Sequence, residues 1–173
     1  MISIAYIRTM ARYNRWQNRS IHAAADTLSP DERREDRGAF FNSIEGTLNH
    51  LLWGDSIWMH RFAGTPKPQG GIAESAARIP EWNDLKRERF AVDEAIILWS
   101  EGVTEEWLAG DMTWYSGAAG REVSKPYWFL VAHFFNHQTH HRGQVHAMLT
   151  AAGAKPEDTD LFFLEDAVLT GGI

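Results

Sequence analysis

Apolar positions recur along this chain at three- and four-residue spacing, the period of an amphipathic helix, in four long stretches. The first runs from about Ser3 to Leu28, with Tyr6, Met10, Tyr13, Gln17, Ile21 and Ala24 along it. It stops before "SPDE", where Ser29 can cap, Pro30 suits a first turn and Glu32 completes a capping box. The second spans about Ser43 to Phe62 and ends before "GTPKPQGG", a breaker-rich loop that continues to Pro80. The third begins near Glu81 and carries Trp82, Leu85, Val92, Ile96, Trp99, Val103 and Trp107, a seam suited to lengthwise packing. "MTWYSGAAGREVS", between Asp111 and Lys125, predicts a short β-hairpin with a glycine-containing turn. The fourth helix starts at Pro126 and reaches Ala151 or Ala152, ahead of Gly153 and Pro156. The tail "KPEDTDLFFLEDAVL" leaves room for one more short helix, capped by Asp158 or Asp160, or for a lid over one end. The expectation is an all-α fold, a four-helix bundle with a hairpin between helices three and four. It forms a single domain over residues 1–173, with no internal repeat.

Composition narrows the function classes. A hydrophobic fraction of 44 %, with 8 Trp and 9 Phe, supplies one sizeable core. The net charge of −6 and the scatter of 17 basic residues argue against nucleic acid as a partner, which calls for clustered Lys and Arg. No apolar run approaches the roughly 20 residues of a membrane span, so no membrane role is expected. "MISIAYIRTMARYNRW" lacks a basic region ahead of an apolar run and does not read as a signal peptide, which predicts a cytoplasmic protein. With no cysteine in the chain, any thiol chemistry has to take its sulfur from a small molecule.

The candidate chemistry lies in "FFNHQTHHRGQVHAM", residues 134–148, which holds His137, His140, His141 and His146, with His133 just upstream. On an ideal helix Leu130, Phe134, His141, Val145 and Met148 all fall within about 80° of His137. His137 and His141 therefore share the apolar stripe one turn apart. His133 and His140 sit on its flank, and His146 points to water on the far side. A His-x-x-x-His pair on one face brings two ring nitrogens within reach of one divalent ion. Two ordinary buried histidines, each hydrogen-bonded to a neighbour, fit the same pattern.

A third ligand would come from a facing helix, and His50 in "GTLNHLLWGD" is the candidate. Gly46 and Gly54 lie one turn to either side on its face, leaving space for an ion or for close helix approach. The most apolar arc of that helix (Leu48, Leu52, Met59, Phe62) lies elsewhere, so phase alone does not turn His50 toward the fourth helix. Three neutral imidazoles without a thiolate suit Zn(II), Ni(II) and neighbouring ions, and leave coordination positions open. Asp55, Asn49 and Gln144 are candidate hydrogen-bond partners for a ligand imidazole or a bound water. Asp55 points well away from His50 and reads better as a partner for Arg61 or for another helix. Arg142 suits pairing with an acidic residue, and Gly143 suits close helix contact.

At these residues the chain resembles the DinB family (damage-inducible proteins) of the DinB/YfiT-like superfamily. The likeness rests on "YNRWQNR", "GAFFNSIEGTLNHLLWGDSIWMHRF" and "HFFNHQTHHRGQVHAML", with "DTDLFF" fitting less tightly. It implies an up-down-down-up four-helix bundle, often dimeric, with a divalent metal held by three histidines. Those ligands fall on His50, His137 and His141. The family includes thiol-dependent relatives such as bacillithiol S-transferases and mycothiol-dependent isomerases.

The expected function is therefore a divalent-metal-binding protein, possible as an enzyme such as a thiol S-transferase or hydrolase acting on a small molecule. No catalytic residue beyond the metal ligands is assigned. The alternative is a non-catalytic metal-binding stress-response protein. A homodimer is also expected, because the second helix is apolar around most of its circumference.

Overall fold

The structure is a computed structural model and describes residues 2–117 and 119–164. Its elements are mostly helical: α1 (Ile4–Asp26), α2 (Pro30–Arg34), α3 (Ile44–Ala63), α4 (Trp82–Gly102), α5 (Glu105–Ala109) and α6 (Tyr127–Ala151). Strands β1 (Asp111–Ser116) and β2 (Arg121–Pro126) form an antiparallel hairpin, in register from Asp111 opposite Pro126 to Ser116 opposite Arg121. Short 3-10 turns cover Ser75–Ala77 and Leu161–Phe163. None of the described helices is long and apolar enough to cross a membrane.

Local chemistry sets the ends. Ser3, Ser43 and Thr104 each accept a backbone N–H in the first turn of α1, α3 and α5. Ser29 and Glu32 form the expected capping box, with Pro30 in the first turn of α2. The third helix does not run unbroken to Trp107. It ends at Gly102, Val103 turns extended, and the Thr104 hydroxyl starts α5 by accepting from the Trp107 N–H. Thr followed by two glutamates is a helix start, and here it outweighs the apolar spacing that carries through.

α1 packs on α4 and α6, and α3 packs on the same two helices. Two apolar clusters fill the core. One holds Ile7 and Ala11 of α1, Trp58 and Phe62 of α3, Ile96 of α4, and Leu130 and Phe134 of α6. The other holds Ile21 and Ala25 of α1, Ile44 and Leu48 of α3, Leu85 of α4, and Val145 and Leu149 of α6. Between them, midway along all four helices, lies a buried polar layer. There Arg89 bonds Asp55 at 2.6 Å and Asp93 at 2.8 Å, while Asn14 and Asn18 donate to Asp93. Arg142 completes the layer by donating to Asn14.

"YNRWQNR" in α1 is spent on holding this scaffold together. Tyr13 donates to the Thr159 carbonyl at 2.7 Å, Trp16 to the Glu157 carboxylate and Gln17 to the Asp158 carbonyl. Arg15 and Arg19 pair with Glu94 on α4. Residues 157–159 are thereby strapped along α1. Asp160 precedes the 3-10 turn at Leu161–Phe163 without capping it through its side chain. The rest of the expected tail helix, from Glu165, lies outside the described residues. The apolar circumference of α3 is largely covered within the chain, by α4, α6 and the 3-10 turn at Ser75–Ala77. That coverage removes the surface argument for a dimer.

Candidate metal centre

Helix α3 presents His50 through a short chain of local causes. Asn42 takes a left-handed turn at φ 63°, and Ser43 caps the helix through the Gly46 N–H. The Phe41 carbonyl lies where a Cβ at residue 46 would come within 2.4 Å of it, so only glycine admits this approach. The Phe41 ring then stacks on His50, with centroids 3.7 Å apart and planes 19° from parallel. One turn beyond, Gly54 makes room for His137: a Cβ there would lie 2.9 Å from the ring's Cε1. Both glycines around His50 thus serve close approach, one to the Phe41 backbone and one to an imidazole.

His50, His137 and His141 come together, each offering one ring nitrogen, with those nitrogens all within 4.8 Å of one another. His50 Nε2 lies 3.3 Å from His137 Nε2. The ring centroids of His137 and His141 are 4.5 Å apart, and those of His50 and His141 4.8 Å. His133 and His140 stay outside the cluster. His133 stands against Trp58, and His140 is exposed beside His141. His146 points away as expected but is half-buried rather than in water. It shares a small cavity with Tyr13, Arg142 and Gly143, walled in by the strapped segment at Thr159.

The tautomers follow from the hydrogen bonds. Ser75 Oγ donates its one proton to the Ile72 carbonyl, so its contact with His50 Nδ1, at 2.8 Å, has the imidazole as donor. The His141 Nδ1–H likewise donates to Gln144 Oε1 at 2.8 Å. Both rings therefore turn a bare Nε2 lone pair toward the cluster. Two facing Nε2 atoms 3.3 Å apart need a proton or a cation between them. Two nitrogens at 2.0–2.1 Å from one tetrahedral ion would stand about 3.3 Å apart. The donor set fits a divalent ion.

Electrostatics keep the rings neutral. Burial, then the neighbouring His141 and His50, drives His137 down to about 3. Burial, then His141, takes His50 to about 4, and burial also lowers His141. No proton competes strongly for these lone pairs near pH 7.

The other candidates resolve differently. Gln144 accepts from the His141 imidazole. Asn49 does not touch an imidazole; its amide bonds both the N–H and the carbonyl of Ile79, tying the loop that carries Ser75 to α3. Asp55 is consumed by Arg89 of α4, not by Arg61. Arg142 meets an amide, Asn14, rather than a carboxylate. Gly143 makes no close helix contact, for a Cβ there would meet nothing within 4 Å. Sequence reasoning missed Ser75 and Phe41. Ser75 sits in a loop without periodicity, and Phe41 lies ahead of the helix whose phase was read.

His50 and His137 also face a cavity of about 800 Å³ between α3, α6, the loop after α3 and the hairpin. The DinB family model matches residues 1–170. The chain belongs to the DinB family. It is similar to Protein DinB of Bacillus subtilis (strain 168), at 29 % identity over 158 residues, covering 86 % of this chain and 87 % of that one. No solved structure matches it.

Proposed function

We propose that this DinB-family protein holds a divalent ion, Zn(II) or Ni(II), through His50, His137 and His141 and acts as a metal-dependent enzyme on a small molecule. Thiol S-transfer or hydrolysis is the reaction class. The observation that carries the reading is the pair of fixed tautomers, His50 by Ser75 and His141 by Gln144, which aim Nε2 lone pairs into one cluster. A divalent ion bound there would polarise a substrate group or lower the pKa of a thiol or water. The chain's own part is to hold three neutral imidazoles, orient two of them by hydrogen bonds and open the cluster to a cavity. Such a small-molecule thiol is kept reduced in the cytoplasm, which is the compartment proposed.

The same reading takes the fold as one domain, an up-down-down-up four-helix bundle. It is supported by the order in which each helix meets the two apolar clusters. α1 and α6 pass from the Phe62 cluster to the Leu48 cluster, whereas α3 and α4 run the other way. A homodimer is retained from the family resemblance alone, and sedimentation showing only the monomer mass removes it.

The test starts with metal analysis of untagged protein and calorimetric titration with Zn(II) and Ni(II). His50→Ala, His137→Ala and His141→Ala are each expected to lose strong binding, and His146→Ala to keep it. Saturation at about 1,000 times Kd adds roughly 4 kcal/mol of stability, so chelation should lower the Tm of wild type and not of the three ligand variants. Equal binding by all variants refutes the site. Metal binding without turnover in a thiol-consumption screen across electrophiles favours the stress-response alternative.

A further inference from the structure

The cavity beside the histidines has a one-sided chemistry. Arg61, Lys67 and Lys125 line it, and no Asp or Glu does, in a chain whose net charge is −6. None of the three lies within ion-pair distance of a carboxylate among the described residues. Arg61 is half-buried, its guanidinium 4.6 Å above the Trp58 ring and 5.6 Å from that of Trp114. Trp53 lines the same space. A guanidinium and an ammonium are donors only. A ligand that satisfies them brings acceptors and negative charge.

The rest of the wall is flat and apolar. Trp58 and Trp114 stand edge to face, 5.9 Å apart. Ile72, Tyr115 and Phe129 also line the cavity, three of the seven large apolar side chains that are exposed among the described residues. Exposed apolar side chains gathered at one opening mark a binding surface. The loop after α3 and the hairpin supply half of the residues lining the cavity, which gives both segments a role beyond covering the core.

We propose that the cavity binds a small organic anion with a flat apolar body, its charge met by Arg61, Lys67 and Lys125 and its body lying against Trp53, Trp58 and Trp114. This deepens the metal-site reading and rests on it only for where the ligand reacts: the bound anion lies beside His50 and His137, at the mouth of the cluster. The cations select charge, the tryptophans select shape, and neither depends on an ion being bound.

The experiment uses full-length protein freed of metal, with 2-naphthoate and its neutral isostere 2-naphthamide as probes. Binding is followed by NMR of the tryptophan indole N–H signals. Naphthoate should bind at least tenfold more tightly than naphthamide. Arg61→Gln should cut that preference to about twofold, leaving naphthamide unchanged. Because Arg61 also packs on Trp58, the exposed pair Lys67→Gln with Lys125→Gln serves as a second variant, expected to cut the preference at least threefold. Equal affinity for the two probes, or a preference that survives all three substitutions, overturns the proposal. A parallel Zn(II) titration separates the readings: charge preference without metal binding supports this inference and defeats the metal site, and metal binding without charge preference does the reverse.

Discussion

Replacing Gly54 by Ala tests the cluster geometry with one methyl group. The new Cβ would lie 2.9 Å from His137 Cε1 and 3.5 Å from its Nδ1. Carbon atoms rest about 3.5–4.0 Å apart, so the ring has to retreat by roughly half an ångström. It has little room, with His50 Nε2 at 3.3 Å and the His141 ring centroid at 4.5 Å. Overpacking of this kind costs about 1–3 kcal/mol, and Ala in a helix interior returns about 1 kcal/mol. Urea unfolding in chelator should therefore show a net loss of about 0–2 kcal/mol. Metal binding should suffer more, because a site tolerates only about half an ångström of error. Calorimetry should show affinity for Zn(II) down at least about tenfold. Gly143→Ala is the control on α6, where a Cβ meets nothing within 4 Å, and it should gain about 1 kcal/mol with affinity unchanged. Wild-type affinity in Gly54→Ala, or a stability gain equal to that of Gly143→Ala, would refute the reasoning.

Ser75→Ala removes the acceptor that fixes His50's tautomer and should weaken Zn(II) binding by about 10–100-fold with little loss of helix content, read by titration and circular dichroism. Unchanged affinity would show that the hydroxyl does not orient the ring. Arg89→Met leaves Asp55 and Asp93 buried without their partner and should cost about 3–5 kcal/mol in urea unfolding at pH 7; a loss below 1 kcal/mol would mean the layer rearranges around an apolar side chain. Burial lowers His22 to about 4, so its contribution is fully present above the unfolded value near 6.5 and is lost as pH falls toward 4. Asp93, raised by burial to about 6, acts oppositely, its contribution present below the unfolded value near 3.8 and lost as pH rises through 6. His22→Phe should therefore gain stability relative to wild type between pH 7 and 4.5, and a constant difference between their urea midpoints would reject His22's part.

What the sequence disclosed about the site follows from helical geometry. His137 and His141 are four residues apart on an apolar stripe, and nothing beyond α6 is needed to put them on one face. His50 was a weaker inference because the apolar arc of α3 points elsewhere. The conflict disappears in three dimensions: α3 is buried on most of its circumference, so an apolar arc no longer marks its single inward face. The polar layer was not legible. Arg89 stands among charged neighbours in "KRERF", yet it is 1 % exposed because α4 brings Asp93 to meet it and α3 supplies Asp55. Long-range pairing of that kind leaves no period in the chain. The same holds for Ser75, whose value depends on Asn49 holding Ile79 thirty residues away.

The polar layer and the histidine cluster occupy the same level of the fold, and α3 and α6 contribute to both. On α3, Asp55 follows Gly54, the residue that clears space for His137; on α6, Arg142 follows His141. Sliding either helix by one turn, about 5.4 Å, would carry a buried charge out of the layer and into an apolar cluster. Asp55 would lose Arg89, and Arg142 would lose Asn14. Apolar contacts alone tolerate such shifts far better, since one leucine or phenylalanine replaces another at small cost. The ionic layer thus fixes the register of the two helices that carry the imidazoles. Gly54 and Ser75 then set the final fractions of an ångström, one by clearing space for His137 and the other by orienting His50.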